Sequence, residues 1–262
     1  MELTVAARSD VGMIRSGNED SFFAHATKER GVFIVADGMG GHAAGEVASE
    51  MAVQIVSREL QDLMTVYGDA ARHTVAESIR IANRAIYDRT IHESDKQGMG
   101  TTVSVLVVSG ARYLIGQVGD SRIYLLREGG LRQLTKDHSY VQEQVDAGFL
   151  TPEQARYHPY SNVITRCVGA GDQVEPDTYS GEPRRGDVFL VASDGLTGMV
   201  DDRRLQQLLL SRASAGRVVD ALIAEANYRG GLDNITAVVV QVMEVDTPAS
   251  DGPTGEGPAI GG

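Results

Sequence analysis

Val32-Phe-Ile-Val-Ala-Asp-Gly38 and Val188-Phe-Leu-Val-Ala-Ser-Asp-Gly195 carry one pattern twice: an apolar, largely β-branched run that ends on Asp-Gly. A continuous apolar run of this length reads as a strand buried on both faces, which needs cover above and below. A single Asp-Gly is ordinary turn chemistry. Here the motif sits at the ends of two such strands, and the pattern goes on. GQVGDSR puts Asp120 at the end of a third apolar strand, and GLDNITAVVV puts Asp233 at the start of a fourth. If these strands are sheet neighbours, Asp37, Asp120, Asp194 and Asp233 emerge at one rim. Four carboxylates gathered there would repel one another unless cations stood between them.

The remaining pattern supplies the cover. Short strands are expected at residues 3–8 and 21–26. Two long helices follow the first run, over about residues 44–65 and 69–93. Met51, Ile55, Leu60 and Leu63 fall on one face of the first, and Val75, Ile79, Ala82 and Ile86 step at three and four in the second. Strands return over residues 101–108, 112–118 and 123–127, and Glu128-Gly129-Gly130 signals a hairpin. Residues 139–160 turn polar and short-helical, with a Thr151-Pro-Glu helix start, and read as a small inserted subdomain. Beyond the second run come helices over about 202–211 and 216–228 and a last strand over 235–242. Strand runs alternating with helix pairs imply an α+β domain, two antiparallel sheets with helices packed outside. Residues 246–262, DTPASDGPTGEGPAIGG, lack periodicity and are expected to be a disordered tail or linker, leaving 1–245 as the folded domain.

Of the 262 residues, 42% are hydrophobic but only 5% aromatic, with no Trp, so the core must be built from Val, Leu, Ile and Ala. The formal net charge of -12 argues against a nucleic-acid partner or an anionic membrane surface, either of which favours a basic face. Cys167 is the only cysteine, which rules out an intramolecular disulfide and suits a reducing compartment. The N-terminal residues lack the basic start and apolar run of a signal peptide. No apolar stretch approaches the ~20 residues of a membrane-spanning helix. A cytoplasmic monomer is expected, or the cytoplasmic domain of a longer membrane-anchored protein.

Oxygen-only donors with room for water suit Mg²⁺ or Mn²⁺ rather than zinc. Gly38, lacking a side chain, could offer its carbonyl to such an ion. Two ions about 3.5–4 Å apart would lower the pKa of a shared water towards ~7, and that water could attack phosphorus in line with no protein nucleophile. Four aspartates and two divalent cations cancel in charge. The bare pocket should therefore repel phosphate and the loaded one accept it.

Six segments, in order, carry a resemblance: Arg15-Ser-Gly-Asn-Glu-Asp20, Val35-Ala-Asp-Gly-Met-Gly-Gly-His-Ala43, Gly100-Thr-Thr102, Gly119-Asp-Ser-Arg122, Ser193-Asp-Gly-Leu-Thr197 and Asp233-Asn234. Over roughly residues 3–244 the chain resembles the metal-dependent protein phosphatases of the 2C or PPM family, in their bacterial form. The resemblance implies a central antiparallel β-sandwich flanked by pairs of α-helices, four layers in α-β-β-α order, with a flap over about 139–165. It implies hydrolysis of phosphoserine and phosphothreonine in proteins, opposing bacterial Ser/Thr kinases, with those kinases and their substrates as partners.

It also implies two core Mn²⁺ or Mg²⁺ ions and a place for a third, weaker one. Asp37 would bridge the core pair, Asp194 and Asp233 would complete one ion, and the Gly38 carbonyl would bind the other. Asp120 and Asp194 match the third site. Glu19, Asp20 and Asn234 would stand behind these ligands and orient water. Arg15 matches the residue that grips the substrate phosphate, a task suited to the forked donors of guanidinium. Where some eukaryotic relatives have His directly after Asp-Gly, this chain has Met39, and His42 is the available general acid.

Other readings account for less. Gly38-Met-Gly-Gly-His-Ala43 fits a GxGxxA dinucleotide fingerprint, but helix rather than a second parallel strand follows it. Cys167 has Gln173 where a cysteine phosphatase needs Arg. A pseudophosphatase that binds phosphoproteins should lack a ligand, yet every ligand position is filled. A metal-dependent phosphatase of small esters would use the same ions, and only the family resemblance separates it.

Overall fold

The computed structural model describes residues 1–40, 44–211 and 213–245. The chain opens with strands β1 (Glu2–Asp10), β2 (Asp20–Ala26) and β3 (Arg30–Met39), then helices α1 (Ala44–Glu59) and α2 (Gly68–His92) and a 3-10 turn at Ser94–Lys96. Strands β4 (Gly100–Thr101), β5 (Val103–Ser109), β6 (Arg112–Val118), β7 (Arg122–Arg127) and β8 (Gly130–Gln133) lead to the short helices α3 (Tyr140–Asp146) and α4 (Pro152–Arg156). Then come β9 (Asp177–Gly181), β10 (Val188–Ala192), α5 (Asp194–Thr197), α6 (Asp202–Leu209), α7 (Ala215–Tyr228) and β11 (Ile235–Glu244).

Two antiparallel sheets result, one in the order β1-β11-β10-β7-β8 and one in the order β2-β3-β5-β6-β9, with β4 paired to β3. Strand alternation explains why both echoing runs are apolar throughout. In β3, Phe33 and Val35 face the gap between the sheets, where Phe189 and Val191 of β10 meet them. Val32, Ile34 and Ala36 face the other way, onto α1 and α2. Leu190 and Ala192 likewise pack against α6 and α7. The four-layer order is therefore helix pair, sheet, sheet, helix pair.

Four details depart from the sequence reading. α1 ends at Glu59 rather than near residue 65, and Arg30 reaches across from β3 to fix the turn that follows it, donating to Leu60 O at 2.8 Å, to Leu63 O at 2.7 Å and to Gln61 O. A cation there satisfies carbonyls that the helix leaves open and complements its negative end. β3 runs two residues past Asp37, since Gly38 and Met39 pair with Thr101 and Gly100. β9 was not foreseen: DTYSG is a short, mostly polar edge strand with little period-two signal. The sheet-neighbour condition holds only in part, for β10 and β11. β3 lies in one sheet and β10 in the other, so the Asp-Gly ends meet across the sandwich rather than along one sheet. The expected tail over 246–262 lies outside the described residues.

Candidate metal centre

The strands converge so that one end of the sandwich collects the acids. Asp37 sits in β3 directly opposite Asp20, the first residue of β2. Asp120 occupies the corner where the chain leaves β6 in one sheet for β7 in the other. Asp194 is the first residue of α5, immediately past β10, and Asp233 lies two residues before β11. Each sheet thus supplies part of the cluster.

Their electrostatics show how close they are. Burial pushes the Asp37 carboxyl well above the ordinary range, and the charges of Asp20, Asp194 and Asp120 push it further. Asp120 is raised by burial and then by Asp194 and Asp137. Asp20 rises to about 7 through burial, against hydrogen bonds from Thr236 and Ser193. Burial also raises Asp194 and Glu19. Among the described residues, Oδ1 of Asp20, of Asp120 and of Asp194 are buried without a hydrogen-bond partner. Buried, unpaired carboxylate oxygens cost free energy unless something positive meets them.

An oxygen donor set of this kind fits hard divalent cations. No three acidic or imidazole groups among the described residues close into a ready-made cage. The mutual charge effects and orphaned oxygens weigh more, because an open site for Mg²⁺ or Mn²⁺ leaves much of its coordination to water. Asp37, Asp194 and Asp233 are all partly open to solvent, as such a site requires.

Hydroxyl and amide groups set the acids in place. The Asp37 N–H donates to Thr102 Oγ1 at 2.9 Å, and Thr102 Oγ1 is 2.7 Å from Ser121 Oγ, beside Asp120. Ser193 Oγ donates to Asp20 Oδ2 at 2.8 Å. Asn234 accepts the Glu19 N–H at 2.8 Å and donates to the carbonyls of Val11 and Gly17, each at 2.9 Å. It pins the loop between β1 and β2 against the start of β11. Gly38 has a packing reason for its missing side chain: a Cβ there would overlap the Gly45 and Glu19 carbonyls.

Arg15, in that pinned loop, pairs with Asp233, Nη2 to Oδ2, at 2.7 Å, and both side chains stay substantially exposed. A guanidinium thus stands at the mouth beside the acids. His42 lies outside the described residues. From Asp120 and Asp194 a cleft of about 770 Å³ runs beneath α3 and α4, past Arg122, Arg156 and Asp202. Arg122 holds Asp137 through both carboxylate oxygens at 2.7–3.0 Å and also reaches Tyr124 Oη. The sequence reading gave no role to Thr102, Ser121, Arg122, Ser193 or Asp137. Gly100-Thr-Thr102 and Gly119-Asp-Ser-Arg122 were the available signals.

Comparison with known proteins points to one family. A family model described as protein phosphatase 2C matches residues 14–225. The Listeria monocytogenes protein named serine/threonine phosphatase stp is 40% identical over 238 residues, 89% of this chain and 94% of its own. A crystal structure of the Mycobacterium tuberculosis serine/threonine phosphatase PstP/Ppp is 40% identical, covers 92% of this chain and 99% of that one, and superposes with a TM-score of 0.82. A PstP catalytic domain in complex with two manganese ions is 38% identical over 92% of this chain and 99% of that one, with a TM-score of 0.81.

Proposed function

The chain belongs to the protein phosphatase 2C family and is a metal-dependent serine/threonine protein phosphatase, and from that premise we propose that it removes phosphate from phosphoserine and phosphothreonine in bacterial Ser/Thr kinases and their substrates. The observation that carries this reading is the meeting of Asp37, Asp120 and Asp194, with a buried oxygen of Asp120 and of Asp194 left unpaired.

In the proposed assignment Asp37, Asp194, Asp233 and the Gly38 carbonyl would together hold the two core Mn²⁺ or Mg²⁺ ions. Asp120, with Asp194, serves a third and weaker site. When bound, the cations supply a water-derived nucleophile at neutral pH and withdraw charge from the phosphoryl oxygens. Arg15, already placed beside Asp233, binds two phosphate oxygens and aligns the ester for in-line attack. Glu19 and Asp20 orient water at the acidic edge, and Asn234 holds the Glu19 backbone and the Arg15 loop in register with β11. His42 donates a proton to the departing serine or threonine oxygen.

The chain acts as a monomer in the cytoplasm. Its single cysteine supports a reducing compartment, and no helix among the described residues is long and apolar enough to cross a membrane. The deciding experiment measures phosphothreonine-peptide turnover against added Mn²⁺ and Mg²⁺, with a chelator control. Full turnover in chelator would overturn the reading.

A further inference from the structure

The corner that carries Asp120 is bound to the flap through one buried side chain. His138, 6% exposed, stands where the chain enters α3. Its N–H donates to Gly119 O at 2.9 Å, and its Nδ1 accepts the Gly119 N–H at 3.1 Å. The residue before Asp120 is therefore held at both of its backbone groups. Gly119 has φ +102°, and a Cβ there would lie 2.5 Å from Thr102 Cγ2. The corner has little freedom to settle elsewhere.

The same residue meets the returning limb of the flap through its carbonyl and β9 through its ring. His138 O accepts the Thr165 N–H at 2.9 Å, and Nε2 lies 3.3 Å from Asp177 Oδ2. Because Nδ1 accepts, the neutral ring carries its hydrogen on Nε2 and donates it to Asp177. Arg166 Nη1 lies 3.0 Å from Nε2, but its two hydrogens go to Glu175 O and Asp177 Oδ1, each at 2.9 Å. The Arg166 contact is thus packing, and Arg166 and His138 share Asp177 as acceptor. Burial, then the Arg166 charge, keeps the ring below its ordinary pKa and so neutral.

We propose that His138 is a positioning residue that links β9, through Asp177 on one ring nitrogen, to the Asp120 corner, through Gly119 on the other, and so sets how tightly Asp120 holds its cation. The proposal rests on Asp120 being a ligand, as assigned above. Partners that orient a ligand from behind typically change metal affinity ~10–100-fold.

Two substitutions separate the two nitrogens. His138→Asn keeps an acceptor near Nδ1 and loses the reach to Asp177, whereas His138→Gln keeps a donor near Nε2 and loses the acceptor for Gly119. The test titrates Mn²⁺ into each variant and counts sites directly, with Asp120→Asn as reference and exchange of the Gly119 amide in chelator as a metal-free readout. His138→Gln should weaken the weakest Mn²⁺ site by about tenfold and speed Gly119 exchange. His138→Asn should leave Gly119 protected, and Asp177→Asn should weaken that site in the parent but not in the His138→Asn background. The tighter sites, unchanged, report an intact fold. If Asp120→Asn removes a site but His138→Gln alters neither Mn²⁺ binding nor exchange, the coupling is wrong. If Asp120→Asn changes nothing, the Asp120 assignment falls and the proposal with it.

Discussion

Asp37 at the end of β3 and Asp194 just past β10 belong to opposite sheets, yet they stand near enough that the Asp194 charge raises the Asp37 carboxyl, after burial and the charge of Asp20. Crowded, buried carboxyls favour their protonated forms when no cation offsets their charge. Cations and protons compete for one place.

Stability should therefore depend on pH in a specific direction. Asp20, at about 7, and Asp37 and Asp120, well raised, keep protons that the unfolded chain has lost. Their contribution is complete below the unfolded pKa of ~3.9 and is lost as pH rises through the folded values. His138, held neutral, opposes this only below its ordinary ~6.5. In chelator, Tm should fall from about pH 6.5 to about pH 8.5, and Mn²⁺ should largely remove the fall. A Tm that climbs across that window in chelator would contradict the raised pKa values of these carboxyls.

Asp37→Asn removes one of the crowded charges while spoiling the shared ligand. Turnover should drop by about a thousandfold or more, while chelated protein gains on the order of 1 kcal/mol. Paired phosphopeptide assays and urea melts check both halves. Retained turnover would remove Asp37 from the centre of the assignment.

Arg15→Ala should raise KM for phosphate esters about tenfold or more and lower kcat less. Its pair with Asp233 is half exposed, so the stability change should stay within about 1 kcal/mol. An unchanged KM would return Arg15 to the status of a surface charge.

His42→Ala is best measured on two substrates. An acid for the leaving oxygen predicts a large loss on phosphothreonine peptide and little on nitrophenyl phosphate, whose leaving group needs no proton. Equal losses would count against that role.

Asp137→Ala leaves the Arg122 guanidinium without its bidentate partner in a buried corner of the cleft. Breaking such a pair from one side costs about 3–5 kcal/mol. A loss under about 1 kcal/mol in urea unfolding would mean that water reaches Arg122 more freely than its burial implies.

The two apolar runs disclosed their strands and their acids because burial on both faces leaves a strong local mark. α2 was legible from its spacing alone, and its ends at Gly68 and His92 fall within a residue of expectation. The end of α1 was not, since the turn that follows it is fixed by Arg30, some thirty residues distant from Leu60 and Leu63. β9 escaped because an edge strand needs apolar residues on one face at most, and Asp177-Thr-Tyr-Ser-Gly181 offers one aromatic. The meeting of Asp37 with Asp194 across the sandwich is a property of sheet packing that no local window contains. His138 was passed over for a similar reason: its partners Gly119 and Asp177 lie in segments that come together only in the folded chain.

Asn234 touches Glu19 across 215 residues, and Arg15 touches Asp233 across 218. A chain leaving the ribosome therefore cannot assemble this end of the molecule until Asp233 and Asn234 are out, however early the first sheet forms. Competence to hydrolyse a phosphate ester waits on those two residues, and a copy halted before them lacks the partners that Arg15 and Glu19 need.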